Sequence, residues 1–342
     1  MTAPKTILDI LNHTNPFRSE GFWSRFGSKK KGHDYKGKSR KILVHGDTRL
    51  IILYDTSASN IHFLKQNYSF HPIHLDDIVS PIQRPKIDIE DDYIFFVVHI
   101  PQFNPATKKI EFIELDMFLT KNDLLVVFNH SLEPLEMILG QLDKKEPVRE
   151  EYFSKGPGVL LYHIVDSLID GIFPLLEQLE QGIDLIDREV FSKATQNIAE
   201  RVSFLRRNVI YFQTLIRPEL NSFVRLEETN HKLISREFHT YLGNITDHLK
   251  KIWDRLEDIK ELSDNLSTTY GGYITFKTNE IIKVLTIFSV ILLPLTLLSG
   301  IYGMNLAVLP LADHPMALFL IGVLMSAIVF LMLAFFKLKH WI

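Results

Sequence analysis

Two uncharged stretches near the C-terminal end constrain this chain more than any other feature. From Val284 to Ile301 it reads VLTIFSVILLPLTLLSGI, and from Pro315 to Phe336 it reads PMALFLIGVLMSAIVFLMLAFF. At about 1.5 Å per helical residue the second run covers roughly 30 Å, the thickness of a hydrocarbon core. A pair of buried core helices is the competing reading, yet both runs exceed the roughly ten to fourteen residues usual for such helices. Two membrane spans are therefore expected, over about 281–301 and about 315–336.

The flanks set the orientation. Lys277 and Lys283 precede the first span, Lys337 and Lys339 follow the second, and residues 302–314 between them hold no Lys or Arg. By the positive-inside rule both termini face the cytoplasm, from the inner (plasma) membrane of the cell. Tyr302 and Trp341 stand where amphipathic rings anchor at the two interfaces. Met1 to Lys30 holds no uninterrupted apolar core with a small-residue cleavage site, so no cleaved secretory signal is expected.

The rest reads as a water-soluble body of mixed type. Short β-rich runs, KILVH, RLIILYD, YIFFVVHI, IEFIELDMFLT and DLLVVFN, lie between Lys41 and Asn129, with turn chemistry at Asn104-Pro105 and Lys121-Asn122-Asp123. One helix is expected to begin near Pro72, with Asp76 and Asp77 close behind. From Ser131 the apolar period changes from two to about 3.6. Leu160, Leu161, Ile164, Leu168, Ile172, Leu175, Leu176, Leu179, Ile183, Ile186 and Val190 recur at three- and four-residue steps, which predicts one amphipathic helix of many turns. A second helical stretch runs from Gln196 to Leu226. The last is expected to begin near His231 and, with no Pro before Pro294, to run unbroken to Ile301 as a rod of roughly 105 Å.

The fold class is therefore an α+β cytoplasmic domain followed by long stalk helices and two C-terminal transmembrane helices. A basic arm occupies 1–40, the α/β domain 41–145, the long helices and stalk 146–280, and the membrane domain 281–342. In the arm Lys29, Lys30, Lys31, Lys36, Lys38 and Arg40 are spaced by Gly and Ser, which predicts disorder, either solvated or touching anionic headgroups.

Several function classes drop out. A formal net charge of -3 gives no basic excess to coat nucleic acid, and the absence of cysteine removes thiolate metal sites and cysteine nucleophiles. Residues 21–29 have the wrong spacing for a phosphate-binding Walker loop, and neither G-x-G-x-x-G nor H-E-x-x-H occurs. No enzyme and no resident cofactor are expected. His71, His74, Asp76 and Asp77 form the densest ligand-like cluster, either a zinc site or structural histidines at a helix start. Asp166, Asp170, Glu177, Glu180, Asp184 and Asp187 read most simply as a solvated helix face, with cation attraction as the alternative.

Tyr302-Gly303-Met304-Asn305 follows directly on the first uncharged run. Here the chain resembles the CorA family of magnesium channels, which carry Gly-Met-Asn at the outer end of the first of two C-terminal spans. The resemblance extends back through TNEIIKVLTIF and LLPLTLLSGIYGMN and forward to KLKHWI, and it includes HPIHLDDIVSPIQRPK and DDYIFFVVHI in the soluble part, from about His71 to Ile342.

The resemblance implies a funnel-shaped homopentamer embedded in membrane lipid, passing hydrated Mg2+ passively down the membrane potential and gated by cytosolic Mg2+. Mg2+ would be both substrate and regulatory ligand, and Co2+ and Ni2+ are expected to pass as well. The implied selectivity filter is Gly303, Met304 and Asn305, with Asn305 as a plain helix cap the alternative. Implied pore and gate positions are Asn279, Ile282, Leu285, Leu293, Thr296 and Gly300. The implied regulatory site pairs Asp76 and Asp77 with a stalk position that is Asn244 here, so that either the site binds Mg2+ more weakly or Asp247, one turn later, substitutes. The outer loop LAVLPLADHP offers only Asp313 and His314 in place of the family's more acidic pattern. Two other readings stay open: a ZntB-like zinc transporter of the same fold, and a membrane-tethered scaffold or signalling protein.

Overall fold

In the first half of the chain, runs rich in Val, Ile, Leu and Phe form a six-stranded sheet. Strands β1 (Arg40–His45), β2 (Thr48–Leu53), β3 (Lys86–Ile89), β4 (Tyr93–Asn104), β5 (Lys109–Thr120) and β6 (Asp123–Val127) lie in the order β1-β2-β6-β5-β4-β3. Neighbours are antiparallel except β2 and β6, which run parallel with Arg49 opposite Asp123. The computed structural model describes residues 39–80, 83–104, 109–128, 132–190, 198–304, 310 and 315–341. The arm through Lys38, Pro105 of the proposed turn, Ser131, Asn305, Asp313 and His314 lie outside the described residues.

Both faces of the sheet are covered, which is why its central strands read as continuous apolar runs. On one face Ile51, Leu53, Phe95, Val97, Phe118, Leu125 and Val127 pack with Leu64 of α1 (Ala58–Asn67) and Leu75 of α2 (Pro72–Asp77). Each such side chain fully buried contributes about 1.5–3 kcal/mol. Helices α3 (Glu133–Lys144) and α4 (Glu146–Phe153) follow the sheet. On the other face α5 (Pro157–Asp170) packs on β2, β5 and β6, while α7 (Ile198–Glu227) packs on β3, β4 and β5, with Phe96 against Phe223. At the parallel pair, Arg49 Nη2 donates to Asp123 Oδ2 at 2.6 Å, and the Tyr68 hydroxyl donates to the same oxygen at 2.8 Å.

The single helix expected over 160–190 is two, α5 and α6 (Phe173–Val190). The first ends at its C-cap Gly171, and Pro174, which has no N–H to donate back to the preceding turn, stands in the opening turn of the second, where that donor is not needed. The chain closes the gap with tight bonds, Ile172 N to Ile169 O at 2.9 Å and Leu175 N to Ile172 O at 3.0 Å. The last long helix starts five residues later than expected: α8 is Arg236–Tyr302, because the Ser235 hydroxyl accepts from Phe238 N at 3.1 Å and caps it. It continues through Pro294, and α9 (Ala317–Leu338) follows.

Among the described residues three helical stretches are long and apolar enough to cross a membrane: Pro157–Val190, Arg236–Tyr302 and Ala317–Leu338. The most apolar 18-residue window of the first is 56% buried inside the protein, against 6% and 0% for those of the other two. Pro157–Val190 is therefore core, and the membrane spans are the apolar end of α8 and all of α9. Contacts divide the chain into two units, one ending at Ser267 and the other beginning at Thr268.

Candidate functional site

In the second unit, three- and four-residue steps align Asn279, Ile282, Leu285, Leu293, Thr296 and Gly300 along one face of α8. These residues are open to the surroundings; Leu293 keeps 70% of its surface. Leu293, Thr296, Gly300 and Met304 line a common groove, and Ser289 lines it too. Ser289 is not among the positions implied by the resemblance, although its place four residues before Leu293 carries the same periodicity. A separate groove, lined by Thr286, Val290, Leu331, Phe335 and Trp341, lies where α8 meets α9. The face bearing Thr296 is thus distinct from the one that meets the second span.

The end of α8 is tightly wound. Gly303 N donates to Ser299 O at 2.9 Å and Met304 N to Ile301 O at 3.2 Å. A Cβ on Gly303 would stand 3.1 Å from the Ser299 carbonyl oxygen, a close approach that glycine allows.

In the first unit, α2 carries the acidic pair. Pro72 opens the helix, and His71 caps it by accepting from Ile73 N through Nδ1 at 3.2 Å. His74 is buried, with Nδ1 2.8 Å from the Tyr93 hydroxyl and Nε2 3.3 Å from Asp88. Burial holds its imidazole below the usual range, the Asp88 charge opposing. Both ring nitrogens are engaged, so His74 is a structural histidine. Among the described residues no group of three His, Asp or Glu is arranged to hold a metal ion. Asp76 is exposed, whereas Asp77 accepts from Lys86 Nζ at 2.8 Å. The same ammonium lies 2.7 Å from Asp88.

On the stalk, Asn244 Nδ2 donates to the Tyr162 hydroxyl at 3.1 Å and to Asp166 Oδ1 at 3.2 Å. Asp247 is exposed and sits 3.5 Å from Lys250. The acidic row is not a uniformly solvated face, because part of it is partnered by α8. His248 Nδ1 lies 3.2 Å from Asp166 and 3.7 Å from Asp170, while Arg255 donates twice to Glu180, at 2.9 and 2.6 Å. Burial, reinforced by the Asp170 charge, raises the Asp166 carboxyl above its ordinary value. These partners lie far apart in sequence, which hides them from any local pattern.

The chain matches the family described as CorA-like Mg2+ transporter protein over residues 49–340. It is 30% identical over 282 residues to the cobalt/magnesium transport protein CorA of Thermotoga maritima, covering 80% of this chain and 78% of that one. The complete structure of the CorA magnesium transporter from Methanocaldococcus jannaschii superposes with a TM-score of 0.74 at 20% identity, over 88% of this chain and 93% of that chain. The ZntB cytoplasmic domain from Vibrio parahaemolyticus superposes with a TM-score of 0.54 at 16% identity, over 67% of this chain and 88% of that chain. At such identities the two structures show a shared fold.

Proposed function

The chain belongs to the CorA-like Mg2+ transporter family, and on that premise we propose that its copies assemble as a homopentamer that conducts hydrated Mg2+ into the cell. The observation that carries this reading is the groove along α8, where Leu293, Thr296, Gly300 and Met304 share a face separate from the α9 contact. Copies of that face around an axis form a conduit through the membrane. Mg2+ sheds its waters reluctantly and prefers oxygen ligands at about 2.0–2.1 Å, so the conduit recognises the water shell through oxygen groups. The Thr296 hydroxyl and the Gly303-Met304-Asn305 end supply them, with Asn305 the filter residue.

Ile282, Leu285 and Leu293 form apolar constrictions that close by dewetting, and Asn279 lies at the inner end of the same face. A divalent ion crossing 100 mV gains about 4.6 kcal/mol, enough to drive uptake without ATP. Closure is governed by cytosolic Mg2+ held between neighbouring copies, with Asp76 and Asp77 of one facing Asn244 and Asp247 of the next. Co2+ and Ni2+ use the same path.

The test is flux into liposomes holding the purified full-length chain, with Mg2+, Co2+, Ni2+ and Zn2+ compared with and without a pH gradient. Potential-driven Mg2+ entry independent of the pH gradient is expected. Zn2+ entry with little Mg2+ would favour a zinc transporter of this fold, and no flux of any ion would leave a membrane-tethered scaffold.

A further inference from the structure

We propose that Lys86 is a built-in competitor for divalent cations at Asp77 and sets the concentration at which that site fills. The proposal rests on the reading of Asp77 as a regulatory ligand.

Lys86 stands on edge strand β3 opposite Val97 of β4. Its Nζ bridges Asp77 Oδ2 at 2.8 Å and Asp88 Oδ2 at 2.7 Å, and lies 5.5 Å from the centre of the Phe95 ring. The Lys86 side chain is 31% exposed and that of Asp77 17%, so the pair is partly withdrawn from water and less screened than a surface ion pair. The Asp77 carboxylate therefore already holds a cation, supplied by its own chain.

The surroundings keep that cation in demand. Val97 faces Asp116 across the next pairing, so Lys86, Val97 and Asp116 form one row across β3, β4 and β5. Asp116 is 5% exposed and its Oδ1 has no hydrogen-bond partner among the described residues. Glu114, two residues away on β5, accepts from Gln83 N at 2.6 Å. The ammonium thus bridges two carboxylates, Asp77 and Asp88, and losing its charge leaves that pair without the cation between them.

A divalent ion that takes Asp77 Oδ2 displaces the ammonium from it, and one that approaches the other oxygen meets the repulsion of the same ammonium. The exchange is feasible because Lys86 keeps Asp88 as a partner when it lets go. A monovalent ion brings no more charge than the lysine already provides, whereas a divalent ion brings twice as much. Lys86 thereby raises the filling threshold and screens the site against K+ and Na+.

The experiment measures the Mg2+ concentration that half-protects the full-length protein from proteolysis, for wild type, Lys86→Met, Lys86→Arg and Asp77→Asn. Lys86→Met should lower that concentration about tenfold, equivalent to about 1.4 kcal/mol. Lys86→Arg, which keeps the charge, should stay near wild type, and Asp77→Asn should raise it. Added KCl should oppose Mg2+ more strongly in Lys86→Met than in wild type. An unchanged threshold in Lys86→Met, with Asp77→Asn raised, would overturn the role of Lys86 and leave Asp77 as a ligand. An unchanged threshold in Asp77→Asn would overturn the regulatory reading itself. Should Lys86→Met not assemble, Lys86→Gln gives the same comparison.

Discussion

The side-chain amide of Asn244 lies 3.2 Å from a carboxylate oxygen of Asp166 in its own chain. An amide here donates to the carboxyl, whereas an acid would repel it. Asn244→Asp is therefore expected to lower the melting temperature in EDTA, by the equivalent of about 1 kcal/mol. Mg2+ should restore it, and the half-protecting Mg2+ concentration should fall severalfold because the site regains a charge. Mg2+ stabilising this variant no more than wild type would remove position 244 from the regulatory site.

Gly158, in the first turn of α5, supports the buried Phe238 near the start of α8. A Cβ at Gly158 would stand 2.8 Å from the Phe238 ring, which is 1% exposed and has little room to move. Overpacking of this kind costs about 1–3 kcal/mol. Gly158→Ala should lower stability by that amount in chemical denaturation, and a paired Phe238→Leu change should recover part of it.

Glu219 on α7 is 2% exposed, and among the described residues its carboxyl has no side-chain partner. Burial pushes its carboxyl up to about 8 from an ordinary 4.5, with the His99 backbone amide pulling slightly the other way. The folded state therefore binds a proton that the unfolded state releases between these values. The stability Glu219 contributes is full below about 4.5 and is lost as pH rises through about 8. Glu219→Gln should flatten that fall, by on the order of a few kcal/mol across the window. Equal slopes for the two proteins in denaturation between pH 5 and 8 would contradict the assignment.

Ser289 shares the groove of Leu293 and Thr296, and the chain has no cysteine of its own. Ser289→Cys is thus a unique label on the face assigned to the conduit. A charged thiol reagent should block Mg2+ flux through Ser289→Cys and Thr296→Cys while leaving Val290→Cys, on the α9 side, unaffected. Block at Val290 with none at Ser289 would mean that the wrong face of α8 has been assigned to the ion.

Those parts of the molecule governed by local chemistry were legible in the sequence. Uncharged runs marked the spans, β-rich runs marked five strands, and Pro72 marked the start of α2. Strand β3, KIDI, was missed because four residues are too few to establish its alternation, and α1, ASNIHFLKQN, because few of its residues are apolar. The break between α5 and α6 was hidden because the apolar period runs on across Phe173-Pro174. Of the candidate site, only the part that follows one helix face has a local pattern in the sequence. Asp166 meets Asn244 at a distance of 78 residues, and the hold of Lys86 on Asp77 depends on how β3 lies beside α2. No pattern within one segment carries such pairings.

Asn305 closes the motif at the end of the first span, and the account stands on its role more than on any other residue. In the proposed homopentamer, losing one water-mediated hydrogen bond of about 1 kcal/mol in each of five copies would remove up to about 5 kcal/mol of ion recognition, several thousandfold in affinity. The most direct measurement is Mg2+ uptake into liposomes by Asn305→Ala, with assembly mass confirmed on the same preparation. A pentamer of normal mass that carries no Mg2+ is the predicted result. Wild-type uptake by that correctly assembled variant would contradict the filter assignment and leave Asn305 as a helix cap.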